Sequence, residues 1–224
     1  MFELSDKELI EWVKFVVESL YKNRSATSSN VKNWNECVDV FRQLINFFTS
    51  KLINQIQTLK LPLLPVDKES FYAHEIEEAE AEFIKVNGDS YCVYSLIDVI
   101  RACKLITTDI ELQKLMISHI RKNRYQPQEM YQSSTYKFIV GEVCPKLVLP
   151  DHMKLTPPAL VAVCAAADYL FAELIEPVWN RTSIFTHLRN FVLFDKALVA
   201  VFDGCKLKHR SSDLTFLWSH YNTL

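Results

Sequence analysis

Residues 31–60 read VKNWNECVDVFRQLINFFTSKLINQIQTLK, a stretch without a single Gly or Pro. Its apolar side chains recur at intervals of three and four residues: Trp34, Cys37, Val38, Phe41, Leu44, Ile45, Phe48, Leu52, Ile56 and Leu59. This spacing predicts a helix of roughly eight turns, at about 3.6 residues per turn, with one apolar face. Pro62 and Pro65 end the pattern. A helix of this kind needs a large apolar partner surface.

A second long helix is predicted where residues 157–176 read PPALVAVCAAADYLFAELIE. Thr156 is its expected N-cap, and the two prolines fall in the first turn, where a missing N–H costs nothing. Shorter helical patterns flank both long helices, so a short-long-short arrangement occurs near 7–105 and again near 136–194. We expect the two long helices to bury their apolar faces against each other, through Phe41, Phe47 and Phe48 on one side and Leu170, Phe171 and Leu174 on the other.

The composition supports an all-α fold and excludes several classes of protein. Only three glycines occur among 224 residues, too few for a Gly-rich phosphate loop or for the many turns of an all-β sandwich. The net charge of −2 disfavours a protein whose main task is to neutralise phosphates. No uncharged apolar run approaches the ~18 residues that a bilayer needs, so no transmembrane segment is expected.

Cysteine usage and the N-terminus predict an intracellular protein. The six cysteines are dispersed and form no CxxC pair, so a zinc site of the usual spacing is not expected. The first residues, MFELSD, contain neither the basic start nor the apolar core of a secretory signal. We therefore expect reduced thiols and a nuclear or cytoplasmic location.

No set of residues predicts an enzyme, and we expect no catalytic residue, cofactor or metal site. The chain has no Gly-x-Ser-x-Gly elbow, Walker loop or kinase set. His74 and Glu75 begin like a metalloprotease helix, but Glu78 stands where the second histidine would be required. The acidic run from Glu75 to Glu82 is expected to be a solvated helix or a flexible insertion, with binding of a basic partner as the alternative.

The second half of the chain resembles a core histone of the 2A type. Residues 138–143 read FIVGEV, residues 162–176 read AVCAAADYLFAELIE, and residues 186–189 read THLR. Asp195, Ala197, Leu198 and Gly204 then follow the spacing of that family's third helix and exit. The match covers about 70 residues. The first half is similar to a 2B-type histone, with Ser28 and Ser29 before the long helix where that family has its serine pair.

The resemblance implies two histone folds fused in one chain as an intramolecular pseudo-dimer. Residues 1–125 would form the first fold, with an acidic insertion at about 61–89, and residues 126–224 the second fold with a C-terminal extension. Such a fusion is similar to the histone-like domains of Son-of-sevenless exchange factors and of ankyrin/BTB proteins, and to viral histone doublets. A monomer is expected, because the partner fold is part of the same chain.

This resemblance also implies a non-catalytic module for protein–protein contacts. The positions of the histone acidic surface are filled here by Asp168, Glu173, Glu176 and Asp195, which would bind a basic peptide or another domain of a longer parent chain. A solvated helix face is the alternative interpretation of these carboxylates.

The alternative function is a chromatin or nucleic-acid binding module. Its candidate contacts to nucleic acid or to an anionic surface are two basic clusters, formed by Arg121, Lys122 and Arg124 and by Lys206, Lys208 and Arg210. An ordinary solubilising surface is the alternative interpretation of each cluster. Glu142 replaces an arginine of the family, Pro145 interrupts the expected first helix of the second fold, and the basic N-terminal tail is absent. DNA binding is therefore expected to be weak or absent.

Overall fold

A computed structural model describes residues 1–20, 34–59, 71–126, 128, 132–178, 195–208 and 215–217. This part of the chain is mostly helical, which confirms the all-α prediction at a coarse level. Its helices are α1 (Asp6–Leu20), α2 (Trp34–Thr58), α3 (His74–Asn87), α4 (Leu96–Ile106), α5 (Ile110–Lys122), α6 (Ser134–Phe138), α7 (Pro157–Ile175) and α8 (Lys196–Phe202). The last short helix of the second short-long-short set, expected to end near residue 194, lies outside the described residues.

Four short strands were not predicted: β1 (Cys92–Tyr94), β2 (Met153–Leu155), β3 (Lys206–Lys208) and β4 (Thr215–Leu217). β1 pairs in parallel with β2, with Tyr94 opposite Leu155, and β3 pairs in antiparallel with β4. α4 begins just after β1 and α7 just after β2. The β1–β2 pair therefore holds the starts of two helices that are distant in the sequence.

Side-chain caps fix where several helices begin. Ser5 and Glu8 form a capping box before α1: the Ser5 backbone N–H donates to Glu8 Oε2 at 2.7 Å, and the Glu8 N–H donates to Ser5 Oγ at 3.3 Å. Asp109 caps α5 by accepting from the Leu112 N–H at 2.8 Å. Thr156 caps α7 through the Ala159 N–H at 3.3 Å. The cap at Thr156 is the one expected from the sequence.

Pro145 changes the helix type at the end of α6. The chain continues from α6 into a π-helical turn, Ile139–Val143, and then into a 3₁₀ turn, Cys144–Lys146. A proline has no N–H to donate and its ring collides with the preceding turn, so a regular α-helix cannot pass through this position. The predicted interruption at Pro145 is confirmed.

The chain divides into two compact units, each of which contains residues from both halves of the sequence. Unit 1 comprises Met1 and Thr49–Ala167, and unit 2 comprises Phe2–Phe48 and Asp168–Leu224. Unit 1 holds α3 to α6 and the β1–β2 pair, whereas unit 2 holds α1 and α8. The long helices α2 and α7 each contribute one segment to each unit.

An aromatic cluster forms the core of unit 2. The Phe171 ring of α7 lies edge-on to Trp12 of α1, with ring centroids 4.9 Å apart, and to Phe41 of α2, at 5.4 Å. All three side chains are buried, as are Phe48, Leu170 and Leu174. The predicted packing of the two long helices against each other is confirmed at Phe41 and Phe171. Phe47 is half-buried, and its ring centroid lies 6.2 Å from that of Phe202.

α7 is long and apolar enough to cross a membrane by length and composition alone. It has 19 residues, and its 18-residue window has a mean hydropathy of 1.7. Within the described chain, however, 78% of that window is buried inside the protein. α7 therefore has the burial of a central core helix.

Candidate interaction surface

Asp168 was predicted to lie on an exposed acidic face, and that prediction is wrong. Its side chain is only 3% exposed, and its Oδ1 accepts a hydrogen bond of 2.7 Å from the indole Nε1 of Trp12. Cys164 and Phe171, at positions −4 and +3 on α7, are fully buried. Asp168 therefore belongs to the buried side of α7, where a polar group needs a partner, and Trp12 provides one.

The other three predicted carboxylates do come together, and we call Glu173, Glu176 and Asp195 the acidic cluster. Burial raises the pKa of Glu173, and the charges of Glu176 and Asp195 raise it further. Glu176 is exposed and follows the last residue of α7. Glu173 thus lies close enough to Glu176 and to Asp195 for each of their charges to oppose its own.

The acidic cluster lies where α7 ends and α8 begins. Glu173 and Glu176 lie at the C-terminal end of α7, where the helix dipole already contributes negative potential. Asp195 begins α8 and accepts from the N–H groups of Ala197 and Leu198 at 3.0 and 3.1 Å. Its position is fixed by this cap, because both hydrogen bonds orient the carboxylate. Helix capping therefore accounts for Asp195 but not for Glu173 in the last turn of α7 or for Glu176 just beyond it.

The raised pKa of Glu173 predicts a specific pH dependence of stability. Because the folded state holds its proton to a higher pH than the unfolded chain does, the free energy of unfolding should fall as the pH rises from the ordinary glutamate value of 4.5 through the raised one. Glu173→Gln should remove this contribution in denaturant titrations performed across that range. Glu82→Gln, a change of an exposed acid, is the control and should retain the dependence. An unchanged profile in Glu173→Gln would contradict the predicted shift.

The structure describes the first predicted basic cluster in full and the second only in part. The Arg121 guanidinium lies over the Phe71 ring at 4.9 Å, Lys122 is exposed, and both occupy the last turn of α5, where positive charge favours the helix dipole. Arg124 lies two residues beyond α5. In the second cluster, Lys206 is exposed on β3. The side chain of Lys208 and the whole of Arg210 lie outside the described residues.

The acidic run on α3 contains a buried residue that the sequence analysis missed. Glu75, Glu77, Glu78 and Glu82 are exposed, but Glu80 is only 4% exposed. Glu80 Oε1 accepts from the Leu96 N–H at 2.7 Å and from the Thr156 hydroxyl at 2.5 Å, and its Oε2 accepts from the Tyr72 hydroxyl at 2.5 Å. Glu80 lies four residues after the apolar Ile76 and therefore on the same face of α3, and this spacing could have indicated that Glu80 is buried.

Glu80 joins three elements of unit 1. Its carboxylate meets the first N–H of α4 and the N-cap of α7, where the positive ends of two helix dipoles favour a negative charge. Burial raises the pKa of the Tyr72 hydroxyl, and so does its hydrogen bond to Glu80. The acidic run from Glu75 to Glu82 is therefore tied into the fold through Glu80 of α3 and is not simply a solvated helix.

The chain was compared with models of known protein families, with curated proteins and with solved structures. None of these comparisons gives a match. Among the residues that the structure describes, no group of three or more His, Cys, Asp and Glu side chains could hold a metal ion. His74 instead lies 3.5 Å from Glu78, on an exposed turn of α3.

Proposed function

We propose that the chain is an intramolecular pair of histone-like folds that acts as a protein-interaction module. The β1–β2 pairing supports this arrangement, since β1 precedes α4, the last short helix of the first short-long-short set, and β2 precedes α7, the long helix of the second set. Parallel strands cannot be joined by a tight turn, so this pairing links elements that are far apart in the chain.

The long helices give independent support. Phe41 of α2 and Phe171 of α7 come from different halves of the sequence and pack edge to face. Each of the two compact units also combines residues from both halves. Two fused folds that share their apolar surfaces would produce this intermixing, whereas two independent domains in series would not.

The acidic cluster is the proposed docking site, and its partner would be a Lys- and Arg-rich peptide segment. The observation that carries this proposal is the approach of Glu176 and Asp195 to the half-buried Glu173, whose pKa is raised by burial and further by these two charges. A bound cation would attract these carboxylates and would also reduce the repulsion between them, and both effects favour binding. Complementary charge of this kind speeds association and selects the partner.

A charge-removing triple variant tests the docking site: Glu173→Gln, Glu176→Gln and Asp195→Asn. Each substitution keeps an oxygen acceptor, and Asn remains a good N-cap, so α8 should stay folded. We expect the affinity for a fluorescent Lys- and Arg-rich peptide to fall by about tenfold or more, because hydrogen bonds to charged groups contribute roughly 1.5–3 kcal/mol. Fluorescence anisotropy measures the affinity, and the melting temperature should change little.

A matched variant separates the site from the net charge. Glu77→Gln, Glu78→Gln and Glu82→Gln remove the same number of charges from exposed positions on α3. This control should bind the peptide nearly as well as the original chain. Equal losses in both triple variants would show that net charge alone attracts the peptide, and the proposed site would be rejected.

The alternative function, nucleic-acid binding, predicts the opposite response. Removing three carboxylates would strengthen binding to DNA phosphates, because less negative charge opposes it. We expect no measurable binding of duplex DNA at micromolar protein in about 150 mM salt, since affinity that rests on few phosphate contacts is lost as salt rises. Tight, salt-dependent DNA binding that improves in the triple variant would favour the alternative.

A further inference from the structure

Asn87 is the last residue of α3, and Gly88 follows it. No other asparagine in the sequence precedes a glycine. In an open chain, an asparagine before glycine loses its side-chain amide readily, because glycine has no side chain to hinder the attack of its own nitrogen on the asparagine side chain. Asn87 is therefore the asparagine for which the sequence predicts the fastest deamidation.

The folded structure keeps the reacting atoms of this pair apart. The nucleophile would be the Gly88 nitrogen, whose N–H donates to the Ile84 carbonyl at 2.7 Å. Gly88 has helical backbone angles, with φ −62° and ψ −26°, so the helical turn continues through it. A nitrogen that donates back into the helix cannot at the same time turn towards the Asn87 Cγ atom. The last turn of α3 must open before the reaction can begin.

The Asn87 side chain is held at both of its polar atoms. Its Nδ2 donates to the Phe83 carbonyl at 2.9 Å, and its Oδ1 accepts from Lys154 Nζ at 2.7 Å. Lys154 belongs to β2, and its ammonium group also lies over the Tyr91 ring, 4.0 Å from the centroid. Lys154 therefore fixes the side chain that has to move.

The last turn of α3 contributes little to the core of unit 1. Its exposed residues are Ile84, Lys85 and Val86, Gly88 after them is also exposed, and Asn87 is only half-buried. Helix ends fray, and local opening costs little free energy where few apolar side chains are buried. The rate of reaction at Asn87 should therefore follow how often this turn opens.

We propose that Asn87 is a modification site, which converts spontaneously to aspartate and isoaspartate when the last turn of α3 opens. The Gly88 nitrogen bonds to Asn87 Cγ, the Cγ–Nδ2 bond breaks, and ammonia leaves with the proton of the Gly88 N–H. Water then opens the five-membered succinimide ring at one of its two carbonyl carbons. The steps release one ammonia, consume one water and change no oxidation state.

Either product changes the connection between α3 and β1. Both products lose the Nδ2–H donor to the Phe83 carbonyl, and both add a negative charge at the end of α3, where the helix dipole is already negative. Isoaspartate also adds a methylene group to the backbone, which displaces the carbonyl of residue 87 that accepts from the Tyr91 N–H at 3.1 Å. The modification therefore loosens the segment that leads from α3 into β1.

Timed mass spectrometry of the full chain in mildly alkaline buffer, with and without guanidinium chloride, tests the proposal. Replacement of the amide NH₂ by OH raises the mass of peptides that contain residue 87, and chromatography separates the two products. The folded chain should convert about tenfold or more slowly than the denatured chain, because the reaction waits for local opening. In the folded chain, residue 87 should still convert faster than Asn46 and Asn123, which precede bulky residues.

Lys154 variants test what holds the site closed. Lys154→Met removes the donor to Asn87 Oδ1 and should speed conversion severalfold in the folded chain but not in denaturant. Lys154→Arg keeps a donor and should stay close to the original rate. Lys85→Met removes an exposed charge from the last turn of α3 and is the matched control. If Lys154→Met merely weakened the whole fold, Asn46 would convert faster as well, and the role of Lys154 would be rejected.

Gly88→Ala tests the chemical route, because the added methyl group hinders attack by the nitrogen of residue 88. Conversion of this variant should nearly stop in denaturant, the condition chosen because a Cβ at residue 88 of the folded chain would lie 2.8 Å from the Ile84 carbonyl oxygen. The proposal would be overturned by undiminished conversion of Gly88→Ala or by equal rates in the folded and denatured chains. Conversion at residue 87 no faster than at Asn46 and Asn123, or an unchanged rate in Lys154→Met, would also overturn it.

Discussion

Phe171→Ala is expected to lower the free energy of unfolding by about 3–5 kcal/mol, the range for removing a buried aromatic ring. Phe171 is fully buried, and its ring contacts Trp12 and Phe41 edge-on. The substitution would remove both aromatic contacts and leave a cavity at the point where α1, α2 and α7 meet. A loss of this size is a large share of the roughly 5–15 kcal/mol that stabilises a typical domain.

Urea denaturation followed by circular dichroism measures this loss. Val86→Ala is a suitable control, because Val86 is 75% exposed and its substitution should change stability by no more than about 0.5 kcal/mol. Phe171→Leu keeps part of the side-chain volume, so its loss in the free energy of unfolding should lie between those of Phe171→Ala and Val86→Ala. A loss below about 1 kcal/mol in Phe171→Ala, comparable to that of an average substitution, would mean that the aromatic cluster does not hold the long helices together.

Glu80→Ala is expected to destabilise the protein by about 3 kcal/mol or more, although Glu80 belongs to a helix rich in exposed acids. The substitution would leave the Tyr72 hydroxyl, the Thr156 hydroxyl and the Leu96 N–H without their acceptor. Each buried group that loses its partner costs about 1–3 kcal/mol. The starts of α4 and α7 would also lose the negative charge that their dipoles favour.

Two further substitutions isolate the cause. Glu80→Gln keeps an acceptor oxygen for Leu96 and Thr156, and the Tyr72 oxygen can accept from the new amide, so its loss should be clearly smaller. Glu82→Ala removes an exposed acid two residues away and should be nearly neutral. If Glu80→Ala were as mild as Glu82→Ala in thermal unfolding, the buried role of Glu80 would be refuted.

The sequence predicted the helices well because their signals are local. The apolar spacing of α2 and α7 repeats every three to four residues, and the cap at Thr156 lies three residues before the N–H that it accepts from. β1 and β2 were missed because three residues are too few to show an alternating pattern. Their pairing also depends on residues about sixty positions apart, such as Tyr94 and Leu155.

The buried carboxylates show where such local reasoning fails. Asp168 accepts a hydrogen bond from Trp12, which lies 156 positions away in the sequence, and Glu80 accepts one from Thr156, 76 positions away. Periodicity assigns an acid to the solvent, because an unpaired charge is costly to bury, and it cannot see a remote partner. The histone resemblance supplied all three residues of the acidic cluster, and the spacing of Glu173 and Glu176 independently allowed that choice, whereas no local signal places Asp195 beside them.

Sedimentation equilibrium at micromolar protein tests the central claim, the pairing of two histone-like halves within one chain. If the first half covers the apolar surface of the second, the chain needs no other copy to fold. The predicted result is a single species with the monomer mass of 26.1 kDa and a helical circular dichroism spectrum in the same buffer. A species of twice that mass at every concentration, or a monomer without helical structure, would contradict the account.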